Sequence, residues 1–134
     1  MLIIQNGYEC DYEMKLFYKL YFDMNEDIYV YSNFEYKDKV INVYTEIIYN
    51  GDTYFDDFYY DFDTENQKAQ FIKKIFTASC TKSFCHAAEK IKHINLPWGV
   101  MCGIRPAKIV RELMEEGHSD SEVVEILKKI YEVS

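Results

Sequence analysis

The sequence predicts an α+β fold in one domain: a small, mostly antiparallel sheet packed by a long helix, followed by a C-terminal helical pair. Three observations carry this expectation. Residues 28–62 are dominated by aromatic and β-branched side chains, with apolar positions recurring at period two. Residues 72–94 place apolar side chains at steps close to 3.6, the period of a helix with one buried stripe. The β-rich half joins the helical half with no low-complexity tract or internal repeat, so one folded unit is the simplest architecture. A chain of 134 residues buries roughly 68% of its unfolded surface, enough for a core without staples.

The elements follow in order. Residues 2–5 are a short apolar strand ending at Asn6-Gly7, a dipeptide that favours left-handed backbone and hence a turn. Cys10, Met14, Phe17 and Tyr21 are spaced four, three and four apart and line one face of a helix, although the aromatic content leaves a strand as the alternative. Within the β region Ile41, Val43, Thr45, Ile47 and Tyr49 share one face. Asn50-Gly51 then marks a hairpin, because a type I′ turn needs positive φ at both central residues. Tyr54, Phe58, Tyr60 and Phe62 continue the apolar face on the returning strand. Twelve of the 13 tyrosines precede residue 61, which predicts a half-wet sheet face where rings pack and hydroxyls reach water.

Thr64 and the polar residues after it resemble a helix start, and the stripe Ile72, Phe76, Cys80, Phe84, Ala87, Ile91 and Ile94 carries that helix across the sheet to about residue 94. A further helix runs from about Pro106 to Glu116 and stops at Gly117; Ser119 and Glu122 form a capping box for another, with Val123, Leu127 and Ile130 as its buried face.

Composition narrows the function. The net charge of −8 is uneven: residues 1–66 hold 15 acidic and 4 basic side chains, residues 67–134 hold 8 and 11. An acidic N-terminal half disfavours nucleic acid and anionic membranes, which bind through Lys and Arg, and it offers a dock for a basic partner. The N-terminal stretch lacks a signal-peptide pattern and no run of about 18 apolar residues occurs, so a cytoplasmic location is expected. Cys10, Cys80, Cys85 and Cys102 are not spaced as a disulfide framework.

No catalytic centre or metal site is expected in this chain. His86 and His93, seven residues apart on a helix, lie about 10 Å apart along its axis, too far to share a zinc ion. Cys85 and His86 are neighbours that do not face one another on a helix, so they do not form a nucleophile and base. Gly99 and Gly103 lack a P-loop or dinucleotide context. The last two helices suggest a helix-turn-helix, but the second carries Asp120, Glu122, Glu125 and Glu132 against two lysines, the wrong sign for DNA.

Residues 96–108, LPWGVMCGIRPAK, form the densest motif. Pro97, Trp98, Gly99, Gly103 and Pro106 build a turn of defined shape, with Pro106 where a helix begins. Arg105, Lys108 and Arg111 recur every three residues at that helix start, where the dipole already presents positive charge. Two readings account for them. Lys108 with Glu112 and Arg111 with Glu115 are i,i+4 pairs; alternatively the cluster makes an anion contact, to a ligand carboxylate or phosphate or to an acidic patch on another domain.

The run LPWGVMCGIRPAKIVRELMEEG and the helix after it resemble the region ahead of the catalytic barrel in coproporphyrinogen dehydrogenases, the oxygen-independent coproporphyrinogen III oxidase-like radical SAM family. The likeness covers residues 96–134, above all Pro97-Trp98-Gly99, Gly103-Ile104-Arg105-Pro106 and Lys108; Ala107 stands where the family typically has Thr. It implies an enzyme of haem biosynthesis that oxidatively decarboxylates propionates with S-adenosylmethionine and a [4Fe-4S] cluster. The family's cluster motif C-x-x-x-C-x-x-C is absent here, so this chain alone is expected to bind neither cofactor. On this reading residues 1–134 are a single N-terminal accessory domain, with 1–95 as sheet plus long helix and 96–134 leading to a radical SAM barrel beyond Ser134. Its expected partners are that barrel and the porphyrinogen substrate. The alternative is a stand-alone, non-enzymatic interaction module with an acidic, tyrosine-rich surface.

Overall fold

The computed structural model describes residues 2–23, 25–93 and 117. Strand β1 (Leu2–Asn6) leads into helix α1 (Asp11–Tyr21), then three ten-residue strands, β2 (Ile28–Lys37), β3 (Val40–Tyr49) and β4 (Asp52–Asp61), and helix α2 (Ala69–Glu89). The strands lie in sequence order β1-β2-β3-β4, with β1 parallel to β2 through the α1 crossover and the other pairs antiparallel. This is the α+β architecture the periodicities predict. The expected helical pair, with the turn at residues 96–106, lies outside the described residues.

Alternation decides which side chains the core receives. Ile28, Val30, Ser32 and Phe34 of β2, Ile41, Val43, Thr45 and Ile47 of β3, and Phe58 and Tyr60 of β4 are buried on one face. Helix α2 lies over β3 and β4 there and packs beside α1, whose Met14, Phe17, Tyr18 and Tyr21 are buried. The four-residue rhythm of α1 therefore reports a helix, and the strand alternative falls away.

Both hairpins turn through left-handed backbone. At Asn50-Gly51 φ is 51° and 83°, as expected of a type I′ pair. The first hairpin turns at Asp38 and Lys39, with φ of 53° and 61°. No Asn-Gly marks it in the sequence, which is why residues 28–62 read as one β region with a single break. Gly7, φ 89°, is required more strictly: a Cβ there would lie 2.0 Å from the Phe34 carbonyl oxygen.

Helix α2 corrects three expectations. It starts at Ala69 with Lys68 as its cap residue and no side-chain cap, because residues 64–67 close a separate turn. In that turn the Gln67 amide donates to the Thr64 carbonyl at 3.2 Å, and Asn66 takes φ 63°. Tyr36 holds the turn to the sheet, its hydroxyl donating to the Phe62 carbonyl and accepting from the Thr64 amide. The helix ends at Glu89 rather than near 94. Nor is it buried along one stripe: every residue from Ala78 to Cys85 is buried. Small residues permit that closeness and their hydroxyls stay satisfied. Ser79 donates to the Ile75 carbonyl at 2.7 Å and Thr81 to the Thr77 carbonyl at 3.1 Å. Thr45 donates to Ser83, 2.8 Å, which donates to the Val43 carbonyl, tying helix to sheet inside the core.

Candidate functional site

Among the described residues, both helices lie on one face of the sheet and leave the opposite face open. Strand register sets its side chains in rows: Leu2, Tyr29, Ile48 and Thr53; then Ile4, Tyr31, Glu46 and Phe55; then Asn6, Asn33, Tyr44 and Asp57; then Glu35, Asn42 and Tyr59. The first two rows are apolar except for Thr53 and Glu46. Leu2 is 47% exposed, Ile4 50%, Tyr29 49% and Phe55 52%, on a face that a solvated sheet fills with polar residues. A hollow of about 230 Å³ lies between Leu2, Ile4, Tyr29, Tyr31, Ile48 and Glu46.

Two carboxylates on this face, Glu46 and Asp57, are held by neighbouring side chains. Tyr44 donates its hydroxyl to Glu46 Oε2 at 3.4 Å and stacks on Phe55, ring centroids 6.0 Å apart. Burial and then the Glu46 charge push the Tyr44 hydroxyl up, so it remains a protonated donor at neutral pH. Asp57 accepts from Asn42 Nδ2 at 2.6 Å and from the Tyr59 hydroxyl at 3.3 Å, and its charge raises Tyr59. The face thus grades along the strands, from the apolar rows of Leu2 and Ile4 to the acidic rows of Asp57 and Glu35.

Two further polar groups are structural. His86 Nδ1 lies 3.5 Å from Asp56 Oδ1 where α2 crosses β4, with Phe58 edge-on to the imidazole. Past the end of α2, Lys92 Nζ contacts both oxygens of Glu26 at 2.8 Å while Tyr49 donates to Oε1 at 3.0 Å. The Lys92 hydrogen bond comes first among the interactions that hold the Glu26 carboxyl below its ordinary range, and the same bond raises Lys92. This clamp fixes the exit of α2 against the loop between α1 and β2.

Of the residues singled out in the sequence, Pro97, Trp98, Gly99, Gly103, Arg105, Pro106, Lys108 and Arg111 lie outside the described residues, as does Cys102. Cys80 and Cys85 are buried thiols in α2, and His93 lies beyond the helix end. A hydrogen bond with the Cys10 thiol, and then burial, pushes Cys80 up and keeps it protonated. Among the described residues no group of three or more His, Cys, Asp and Glu is placed to hold a metal ion. No described helix is long and apolar enough to cross a membrane.

The tyrosine pattern predicts a half-wet sheet face but does not single out Leu2, Ile4, Tyr29, Tyr31, Glu46 and Ile48 on it. Two signals were present. Leu2-Ile3-Ile4 and Ile47-Ile48 are consecutive apolar residues in strands, which puts hydrophobic side chains on both faces. Compared with protein-family models, with curated proteins and with solved structures, the chain matches none.

Proposed function

We propose that this chain is a non-catalytic accessory domain of a cytoplasmic radical SAM enzyme of the coproporphyrinogen dehydrogenase type, held against the barrel that performs the oxidative decarboxylation. The observation that carries the enzyme class is the motif Pro97-Trp98-Gly99 with Gly103-Ile104-Arg105-Pro106 and Lys108. A sheet covered by helices on one face and left apolar on the other supports the docking role, since such a face loses water contact only against another surface. The [4Fe-4S] cluster and S-adenosylmethionine belong to the barrel, which supplies radical chemistry to the substrate. Arg105, Lys108 and Arg111 contact either substrate propionates or acidic groups of the barrel.

The test is anaerobic expression of the whole reading frame with iron–sulfur reconstitution. The expected result is a downstream C-x-x-x-C-x-x-C, a reconstituted cluster, and conversion of coproporphyrinogen III with release of 5′-deoxyadenosine. A reading frame without that cysteine motif overturns the enzyme reading. In the longer protein, Arg105→Ala with Arg111→Ala is expected to lower substrate affinity or barrel association; unchanged turnover, affinity and association remove the anion contact.

One observation favours a second reading, a stand-alone module that binds a basic protein. Glu35, Glu46 and Asp57 stand among the tyrosines of the open face. A reading frame that stops after Ser134 decides for it.

A further inference from the structure

We propose that the open sheet face is a docking surface for a polypeptide partner presenting lysine or arginine flanked by aliphatic side chains, with Glu46 receiving the cation. This rests on the docking role proposed above but not on any class of enzyme.

Glu46 is the deciding residue. It is the one carboxylate in the two apolar rows, between Tyr31 and Phe55 in register, and it borders the hollow with Leu2, Ile4, Tyr29, Tyr31 and Ile48. A purely apolar partner would bury that carboxylate without compensation, which is strongly unfavourable. A lysine or arginine satisfies both halves of the site. Its methylene stem covers Ile48 and the tyrosine rings, and its cationic head reaches Glu46 while lying against an aromatic face. Tyr44, donating to one Glu46 oxygen at 3.4 Å, fixes the carboxylate and leaves its other oxygen for the partner. Farther along, Asp57 and Glu35 continue the negative potential, so further basic residues on the partner are favoured.

The same charges decide against other occupants. A second copy meeting face to face would oppose Glu35, Glu46 and Asp57 with their own duplicates, which like-charge repulsion disfavours. Nucleic acid would bring phosphates to these carboxylates. The two outer strands of the described sheet also differ. Strand β4 carries Asp52, Asp56, Asp57 and Asp61, whereas β1, LIIQN, carries no charge and supplies Leu2 and Ile4 to the two apolar rows. A partner is therefore expected to seat from the β1 side.

The probe is the synthetic peptide acetyl-LKLKLKL-amide, titrated into the 134-residue chain at low salt and followed by amide chemical shifts. Expected are shifts centred on β1 and on Tyr29, Tyr31, Glu46 and Ile48, binding weakened at least tenfold by Glu46→Lys, and weakened severalfold by the near-isosteric Glu46→Gln, whose retained fold is checked by circular dichroism. Glu65→Lys, an equal charge change away from this face, is expected to alter binding less than twofold. The proposal is overturned by equal binding of acetyl-LELELEL-amide, by shifts lying elsewhere, by the same loss from Glu65→Lys as from Glu46→Lys, by absence of binding, or by self-association that protects the open face. These results leave cluster formation and turnover in the longer protein untouched, so failure here is distinct from failure of the enzyme reading.

Discussion

Two glycines separate what backbone angle and what space each contribute. Gly51 has φ 83° with nothing within 4 Å of its missing Cβ, whereas Gly7 has φ 89° and a carbonyl oxygen 2.0 Å from that position. Gly51→Ala therefore costs about 1 kcal/mol from left-handed strain alone. Gly7→Ala adds a backbone collision between the β1–α1 turn and β2, and its expected loss is roughly 3 kcal/mol or more; urea unfolding of the two variants side by side measures the difference. Both sites are Asn-Gly in the sequence, so the turn chemistry is legible there, but the Phe34 carbonyl is not, because it arrives from 27 residues away in the fold. Glu26 makes a pH prediction. Its carboxyl sits below its ordinary 4.5, so its stabilisation is complete above that value and is lost as pH falls through the lowered one. Glu26→Gln is expected to cost about 1 kcal/mol or less at pH 7, and the gap to the unmodified chain closes as melting is followed from pH 4.5 downward.

At the scale of elements, the strands and helices follow from local pattern while their ends do not. The first hairpin turns through Lys39 at φ 61°, a strained angle for a side chain that branches no help into the turn. Lys39→Gly relieves it and gives up an ion pair to Asp63 that is exposed on both sides, so thermal unfolding is expected to rise by a few degrees. The start of α2 was misplaced because Thr64 and Glu65 have cap chemistry, yet the Tyr36 hydroxyl, across the sheet, spends the Thr64 amide on another turn. Periodicity also understated the helix: a stripe of Ile72, Phe76, Cys80 and Phe84 was visible, but burial of Ser79, Thr81 and Ser83 depends on partners the sequence does not display. Ser83→Ala leaves the Thr45 hydroxyl without its acceptor inside the core, an expected loss of about 1–3 kcal/mol in denaturant unfolding.

Over the whole molecule, the two faces of the sheet have opposite tolerances. Ile47 is fully buried and its neighbour Ile48 is 40% exposed. Ile47→Ala is expected to cost about 2–5 kcal/mol, Ile48→Thr less than about 0.5, by the same unfolding assay. Should a partner cover the open face, that order changes in the complex: Ile48→Thr then weakens association while leaving the free domain intact. The fold class was legible because period two and period 3.6 occupy separate segments of residues 2–93. The surface was not, since tyrosine suits both a core and an interface, and only the register sets Glu46 among apolar neighbours.

The parallel pairing of β1 with β2 also orders events in time. Strands β2, β3 and β4 close through two tight hairpins, whereas β1 reaches β2 only after the chain has passed through α1, a longer loop to close. The meander is thus expected to fold early and β1 to add late, held by a single neighbour among the described strands. In native-state hydrogen exchange the amides of Ile3 and Gln5 should open well before those of Val43 and Thr45, at free energies far below global unfolding. The strand that brings Leu2 and Ile4 to the open face is then also its most readily released.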